Sequence, residues 1–397
     1  MGKHDPISLE KRITITKDQV KAWAQAAEAE ISEAEKNCQF SDALMKSYKE
    51  QGFHRLLRPW RHGGPSVRPT AFMELVRTVG YHSSAAAWLF YFYPIHEAWA
   101  AYLPQNRQEE IFGSDGLVVD VFTPLGKVEK DGEGYRLSGE WKFASGVIHS
   151  EWIGLGGVVP LPDGPQPCLM AIRTDQVEIV KNWDTLGLRS TGSNGVRCEN
   201  VYVAPDMILP LATTVSTGMP QTTDFDPEDP SYRTPFMPRF LMGFPAVALG
   251  GAERVVDEFE ARTKNRIRIY QGGQAEAQNP SGIRALANVR LRLDTLRASF
   301  DAYAEQLEAW TDQKHHVASD AERERMFALR AHIAREAMLI AVDVQTMAGG
   351  SAIFKGDPIE RFTRDLITIA THTTHLYEDA LQGYGKALMG IGAHPLW

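Results

Sequence analysis

Between Gly139 and Trp152 the chain reads GEWKFASGVIHSEW, a short stretch holding two aromatic rings (Trp141, Phe143), a hydroxyl (Ser145), a glycine (Gly146) and an imidazole (His149). Aromatic faces beside a hydroxyl and bare backbone amides suit a planar, partly polar ring system, with Gly146 letting backbone approach it. An ordinary core strand ending in a Ser-Gly turn reads the same way. His96 stands two residues after Pro94 in a strongly apolar run. It is either a satisfied core histidine or a group that gives and takes a proton near neutrality. His372 and His375, three apart, fall on one face of the last helical segment. No metal is expected. Glu378 is the one carboxylate near that pair, no cysteine is close, and the adjacent His315 and His316 stand among Gln, Lys and Asp as exposed loop residues.

Three kinds of segment must position these groups. Thr16 precedes a helical stripe of Val20, Trp23, Ala27, Ile31 and Ala34, a second helix runs from Ser41 to a cap at Gly52, and residues 70–102 read as buried helices that Pro94 kinks or ends. Residues 116–205 alternate apolar and polar with frequent turn signals. They read as six or more short strands in a small antiparallel barrel or sandwich, with the Ser145 stretch at a strand end. Residues 206–240 lose all period and read as a long loop or lid. From 241 to 397 helices return, with an apolar seam through Leu286, Val289, Leu293, Leu296, Phe300, Tyr303, Leu307 and Trp310 and another through Met326, Leu329, Ile333, Ile340, Val344 and Met347. The expected fold is mostly α with a central β-domain: residues 1–115 helical, 116–205 the barrel, then the loop, then a C-terminal four-helix bundle.

Composition removes several function classes. At 397 residues with 43% hydrophobic and 23% charged residues, the chain can bury a large core. A net charge of −8 speaks against a nucleic-acid partner. Three cysteines are too few for a disulfide framework, and the charged N-terminus has no signal-peptide core. No apolar run would span a membrane, so a cytoplasmic location is expected. No GxGxxG or Walker loop is present to hold a nicotinamide or nucleotide.

Five segments in order carry a resemblance: Tyr93-Pro94-Ile95-His96; Val121-Phe122-Thr123-Pro124; Gly139 through Gly146 with Trp152; Trp183 through Ser193 with Val201 through Pro205; and Arg364-Asp365 ahead of Thr371 through His375. Together they resemble the acyl-CoA dehydrogenase fold and, more narrowly, its flavin-dependent monooxygenases, the oxygenase components of two-component phenol and hydroxyphenylacetate hydroxylases, steroid-ring hydroxylases, indole oxygenases and dibenzothiophene monooxygenase. True acyl-CoA dehydrogenases need a carboxylate base, commonly a Glu-Gly pair shortly after an Arg-Asp. Here that region reads ATHTTH, and Glu378 comes later and is followed by Asp379. Imidazoles standing where the base would be favour oxygenation over desaturation.

The resemblance implies reduced flavin (FMNH2 ahead of FADH2) reacting with O2 to a C4a-hydroperoxide that hydroxylates an aromatic or heteroaromatic, phenol- or indole-like substrate. By the same resemblance Ser145 lies beside flavin N5, His375 faces the peroxide, with His372 as its alternative, and His96 orients or deprotonates a substrate group. Phe122, Thr123, Phe143 and Ala144 form the isoalloxazine shelf, and Arg262 or Arg266 with Gly349-Gly350 hold the phosphate, partly across a subunit boundary. The aromatic stretch around Trp88 and Phe92 suggests a flat apolar substrate pocket, and Arg239 is a further candidate contact. A separate NAD(P)H:flavin reductase and a homotetramer are implied. The alternatives are N- or S-oxygenation on the same fold, an acyl-CoA dehydrogenase, or a non-catalytic oligomeric scaffold.

Overall fold

The structure is a computed structural model that describes residues 15–269, 272–314 and 316–394, which leaves His315 and the extreme N-terminal segment outside it. Helix α1 (Lys17–Asn37) opens on a capping box between Thr16 and Gln19 and buries the Val20, Trp23, Ala27, Ile31 and Ala34 stripe. Helices α2 (Asp42–Glu50), α3 (Pro69–His82), α4 (Ser84–Ala98) and α5 (Gln105–Gly113) complete the N-terminal layer. All of α4 is buried. Of the two outcomes expected for Pro94, a kink or a stop, the stop is excluded: α4 runs on to Ala98. Proline leaves the carbonyl four residues earlier without its helical donor, and the Tyr48 hydroxyl donates to that Phe90 carbonyl at 3.3 Å.

The β layer is one seven-stranded sheet, not a purely antiparallel barrel. Its strands are β1 (Val118–Asp131), β2 (Gly134–Ala144), β3 (Trp152–Leu161), β4 (Gly164–Arg173), β5 (Glu178–Val180), β6 (Asn194–Val203) and β7 (Ile208–Pro210), in the order β5-β6-β2-β1-β3-β4-β7. β1 pairs antiparallel with β2 but parallel with β3, because the chain crosses between them through the Gly146 loop instead of a hairpin. Two irregularities matter. The β1–β3 register shifts between Val121 and Gly126, and the β2–β6 register shifts between Trp141 and Ala144. Residues 122–125 and 142–143 thus leave the ladders, as bulges beside functional sites do. A Cβ on Gly156 would stand 2.3 Å from the Phe122 carbonyl oxygen and 2.5 Å from that of Thr123, so only glycine lets β3 pass under the first bulge.

The stretch 206–240 is shorter of loop than its composition suggests: it contains β7, α6 (Leu211–Thr217), a 3-10 turn at Pro230–Tyr232 and α7 (Phe236–Phe240). Four long helices follow, α8 (Gly243–Asn265), α9 (Pro280–Gln313), α10 (Asp320–Ala348) and α11 (Pro358–Ala370), with a small hairpin β8 (Ile267–Arg268) and β9 (Gln274–Ala275) between the first two and α12 (Tyr377–Met389) at the end. The α9 seam is buried from Val289 to Trp310, with Leu286 at its margin. α8 packs on α3 and α4 as well as on α9, α10 and α11, and so joins the two helical layers.

Candidate active site

One cluster of rings gathers residues from α4, α7, α8 and the turn after α11. Trp88 stacks on Phe92 with centroids 4.7 Å apart, and Phe92 meets His96 edge-on at 4.5 Å. His96 lies parallel to Phe240 at 5.8 Å, and Phe240 meets Phe122 of the first bulge at 4.7 Å. On the other side Phe244 contacts Trp88, His372 and His375 at 5.2, 5.0 and 4.7 Å. The i, i+4 spacing of Trp88, Phe92 and His96 puts all three on one face of α4. Ser145 joins them directly: Trp88 Nε1 donates to its Oγ at 3.0 Å.

Hydrogen bonding fixes which way each polar group faces. Thr191 Oγ1 donates to the Leu188 carbonyl at 2.9 Å, so it accepts from Ser193 Oγ at 2.7 Å, and Ser193 in turn accepts from Ser145 Oγ at 2.8 Å. With its proton committed to Ser193 and one lone pair to Trp88, Ser145 keeps one acceptor lone pair. His375 donates from Nδ1 to the Ile369 carbonyl at 2.8 Å, and its Nε2 is buried without a partner. His96 Nδ1 accepts the Asp120 backbone N–H at 3.2 Å, so its proton is on Nε2, 3.6 Å from Asp120 Oδ1.

The imidazoles are neutral at physiological pH. Burial, with the neighbouring His372, pushes His96 down to about 3. Burial and then Arg330 push His372 down to about 4. His375 is held well below the ordinary range by burial, His372 and Arg330. Burial raises the Asp120 carboxyl well above the usual range. Its Oδ2 makes no hydrogen bond of normal geometry, although Trp99 Nε1, likewise unpartnered, lies beside it.

A second feature adjoins the cluster on the open face of the sheet. Val121, Thr123, Leu125, Glu140, Lys142 and Phe143 line a depression of about 260 Å³. Phe143 is 65% exposed and holds φ +69°, a strained value for an aromatic residue, while the adjacent Ala144 is fully buried. An exposed ring held against its preference, next to two bulges and a hydroxyl acceptor, fits the edge and face of a flat heteroaromatic group.

The structure thus gathers His96, Ser145, His372, His375, Trp88, Phe92 and Phe122 into one site and sets Thr123, Phe143 and Ala144 at its rim. Several expectations change. His372 and His375 are not on a helix face: α11 stops at Ala370, and they bracket a 3-10 turn whose N-cap is His372. Gly146 (φ +72°) makes room for Tyr93, whose hydroxyl donates to the Gly146 carbonyl at 2.8 Å, instead of for a ligand. Trp141 is core, its Nε1 donating to the Gly156 carbonyl at 2.9 Å. His149 faces Asp42 at 3.5 Å, away from the ring cluster. His316 is half-buried against the Tyr232 carbonyl. The Arg239 guanidinium donates to the Ser231 and Leu57 carbonyls and binds the loop together.

The phosphate candidates form a separate group. Arg266 Nη1 donates to the Met347 carbonyl at 3.1 Å beside Gly349, Gly350 is open, and Arg262 Nη2 pairs with Asp357 at 2.5 Å. Arg262 lies five turns along α8 from Phe244, about 27 Å. These cations therefore stand well away from the Phe244 end of α8 that joins the ring cluster. Sequence reasoning missed Asp120, Phe240, Phe244 and the Ser193-Thr191 relay. The lone carboxylate in LVVDVF was the available signal for the first.

Residues 242–377 match the family model described as acyl-CoA dehydrogenase, C-terminal domain. The chain is 28% identical over 390 residues to a pigment production hydroxylase of Rhodococcus erythropolis, covering 95% of this chain and 96% of that one. It is 27% identical to the oxygenase component of p-hydroxyphenylacetate 3-hydroxylase of Acinetobacter baumannii, covering 89% and 84%. Among solved structures, XiaF from Streptomyces sp., in complex with FADH2 and glycerol, superposes with a TM-score of 0.86 at 18% identity, covering 95% of each chain.

Proposed function

We infer that this chain, a flavin-dependent monooxygenase of the acyl-CoA dehydrogenase fold, is an oxygenase component that hydroxylates a phenol- or indole-like substrate with reduced flavin and O2. The carrying observation is the convergence of Ser145, His96 and His375 on one ring-walled site, with His375 Nε2 buried and unpartnered. Bound reduced flavin supplies the two electrons with which O2 is activated.

The protein's own groups do the rest. Ser145 offers an acceptor, complementary to the N5–H that distinguishes reduced from oxidised flavin. His375 Nε2 offers a second acceptor, which would hold or take a proton from a group bound beside it. Trp88, Phe92, Phe240 and Phe244 exclude water from the space between them. His96 presents an N–H, so it orients a substrate oxygen instead of deprotonating it, and Asp120 is the acceptor next to it. The shelf is Phe122, Thr123, Phe143 and Ala144.

Reduced flavin, FMNH2 in preference to FADH2, comes from a separate NAD(P)H:flavin reductase. A homotetramer in which a neighbouring copy supplies the phosphate contacts belongs to the same proposal, since Arg262 lies about 27 Å along α8 from Phe244 of the ring cluster. Among the described residues no helix is long and apolar enough to cross a membrane. A cytoplasmic location is proposed on the small number of cysteines. A dehydrogenase reading is not supported: the residue where a base would act is an imidazole, and Glu378 is exposed.

The test is anaerobic mixing of the protein with FMNH2 or FADH2, then O2, with phenols and indoles as acceptors. A protein-dependent delay in flavin reoxidation, with a hydroxylated product, is expected. Reoxidation at the free-flavin rate with every acceptor overturns the reading.

A further inference from the structure

Behind the imidazole pair sits a guanidinium with no anion to neutralise it. Arg330 of α10 is 1% exposed. Its Nε and Nη2 both donate to the Thr374 carbonyl, at 3.3 and 3.1 Å, and its Cζ lies 4.7 Å from the Phe327 ring centroid. Among the described residues no carboxylate stands within ion-pair distance of it. An arginine cannot shed its proton to escape this situation, and a buried charge without a counter-charge is costly. Such an arrangement is not the one that stability alone would select.

The acceptor it uses is informative. Thr374 immediately precedes His375. Its N–H and Oγ1 both contact His372 Nδ1, at 3.3 and 2.9 Å, and the His375 N–H donates to the His372 carbonyl at 2.7 Å. One carbonyl therefore ties Arg330 to the turn that carries both imidazoles. The other titratable groups facing this region are Tyr91 and His96 from α4 and Tyr303 from α9, with Asp120 of β1 beyond His96. Glu378 at the start of α12 is exposed.

We propose that Arg330 is the positioning residue of this site: through the Thr374 carbonyl it pins the turn, and its fixed positive charge keeps His372 and His375 uncharged, so that His375 Nε2 stays an acceptor. The consequence for catalysis rests on the assignment of His375 to the reacting centre. The electrostatic part does not, and the test separates them.

Full-length protein carrying 15N-labelled histidine is titrated without flavin from pH 8 to 5.5 by NMR. In the wild type the His372 and His375 ring nitrogens keep their neutral signature throughout, and they do so in Arg330→Lys, which retains the charge. In Arg330→Gln, which keeps a donor for Thr374 and loses the charge, at least one of the two titrates inside that window, for His372 an upward move of at least about 1.5 pH units from about 4. The acidic limb of the product-formation profile moves up by a similar amount. Identical titration of Arg330→Gln and wild type overturns the proposal. If Arg330→Gln does not fold, Arg330→Met, which fills the same apolar space without the charge, is titrated in its place: an imidazole of the pair titrating inside the window supports the proposal, and titration identical to wild type overturns it.

Discussion

Trp88 Nε1 donates to Ser145 Oγ at 3.0 Å, and this one bond joins the buried face of α4 to the end of β2. It also dictates the polarity of Ser145, because a hydroxyl already accepting from an indole and donating to Ser193 has only a lone pair to offer. Ser145→Ala removes that acceptor and strands the indole N–H. The expected effect is about tenfold weaker binding of reduced flavin, in line with a lost hydrogen bond of about 1 kcal/mol or slightly more, with oxidised flavin little affected. Anaerobic fluorescence titration measures both, and equal affinities for the two redox states in variant and wild type would sever Ser145 from the ring.

His375 is separable from flavin binding. Its Nδ1 is spent on the Ile369 carbonyl and Nε2 alone faces the site. His375→Ala should retain reduced flavin within a few-fold while product per flavin oxidised falls by about a hundredfold, the usual contribution of a well-placed proton-handling group. Product yield against peroxide released is the readout. Undiminished coupling would take His375 out of the chemistry.

Much of this was readable in the sequence, and the exceptions have physical causes. The helical stripes of α1 and α9 and the strand periodicity of 118–203 follow from burial of one face, which composition records directly. His96 could be singled out because polar groups in apolar surroundings are rare, whereas Ser145 and His375 were marked by the resemblance to flavin-dependent monooxygenases and not by their neighbours in sequence. The parallel β1–β3 pairing was invisible, since alternation along a strand does not encode its partner's direction. Whether Pro94 would end α4 could not be read locally, because the Phe90 carbonyl it leaves free is taken up by Tyr48, far away in sequence. Arg239 misled: a cation beside a loop looks available until its carbonyl partners are seen.

That last residue gives a prediction of stability, not activity. The Arg239 guanidinium is buried, and its charge is solvated by the Ser231 and Leu57 carbonyls. Each carbonyl keeps a second donor, the Tyr102 hydroxyl on Ser231 at 3.3 Å and Ser231 Oγ on Leu57 at 3.2 Å, so Arg239→Ala costs the two guanidinium bonds and the buried packing of the side chain and should destabilise the fold by about 3 kcal/mol. The KM of whatever protein remains folded should be unchanged. Urea unfolding together with steady-state kinetics distinguishes this from a substrate contact, which would raise KM at unchanged stability.

Asp120 predicts the reverse pattern. Its backbone N–H sets the His96 tautomer and survives any side-chain substitution, whereas its carboxyl is an acceptor in its own right. Asp120→Ala should raise the KM for a phenolic or N–H substrate about tenfold, roughly 1.4 kcal/mol, and leave reduced-flavin affinity unaltered. An unchanged KM, or equal losses for substrates with and without the O–H or N–H, would make Asp120 a mere neighbour of His96.

Acid should weaken the fold well above the pH at which ordinary carboxylates titrate. His62, His96 and His372 are pushed down to about 4, 3 and 4 in the folded chain, chiefly by burial, against about 6.5 when unfolded. Between pH 6.5 and 4 the unfolded state therefore binds up to three more protons at these sites, so their contribution to stability is complete above 6.5 and is lost as pH falls. Asp365 opposes this. Burial raises its carboxyl to about 7, so its contribution is present below about 4 and is lost as pH rises toward 7. Three imidazoles against one carboxyl leave a net uptake of about two protons on unfolding near pH 5.5, a loss approaching 2–3 kcal/mol per pH unit. Urea midpoints at pH 7.5, 6.5 and 5.5 should fall in that order, and Asp365→Asn, which still offers an oxygen to the Leu188 N–H, should steepen the fall. A midpoint that holds steady or rises on acidification would mean that these imidazoles are not buried in neutral form, and the ring cluster around His96 and His372 would then have to be more open than described.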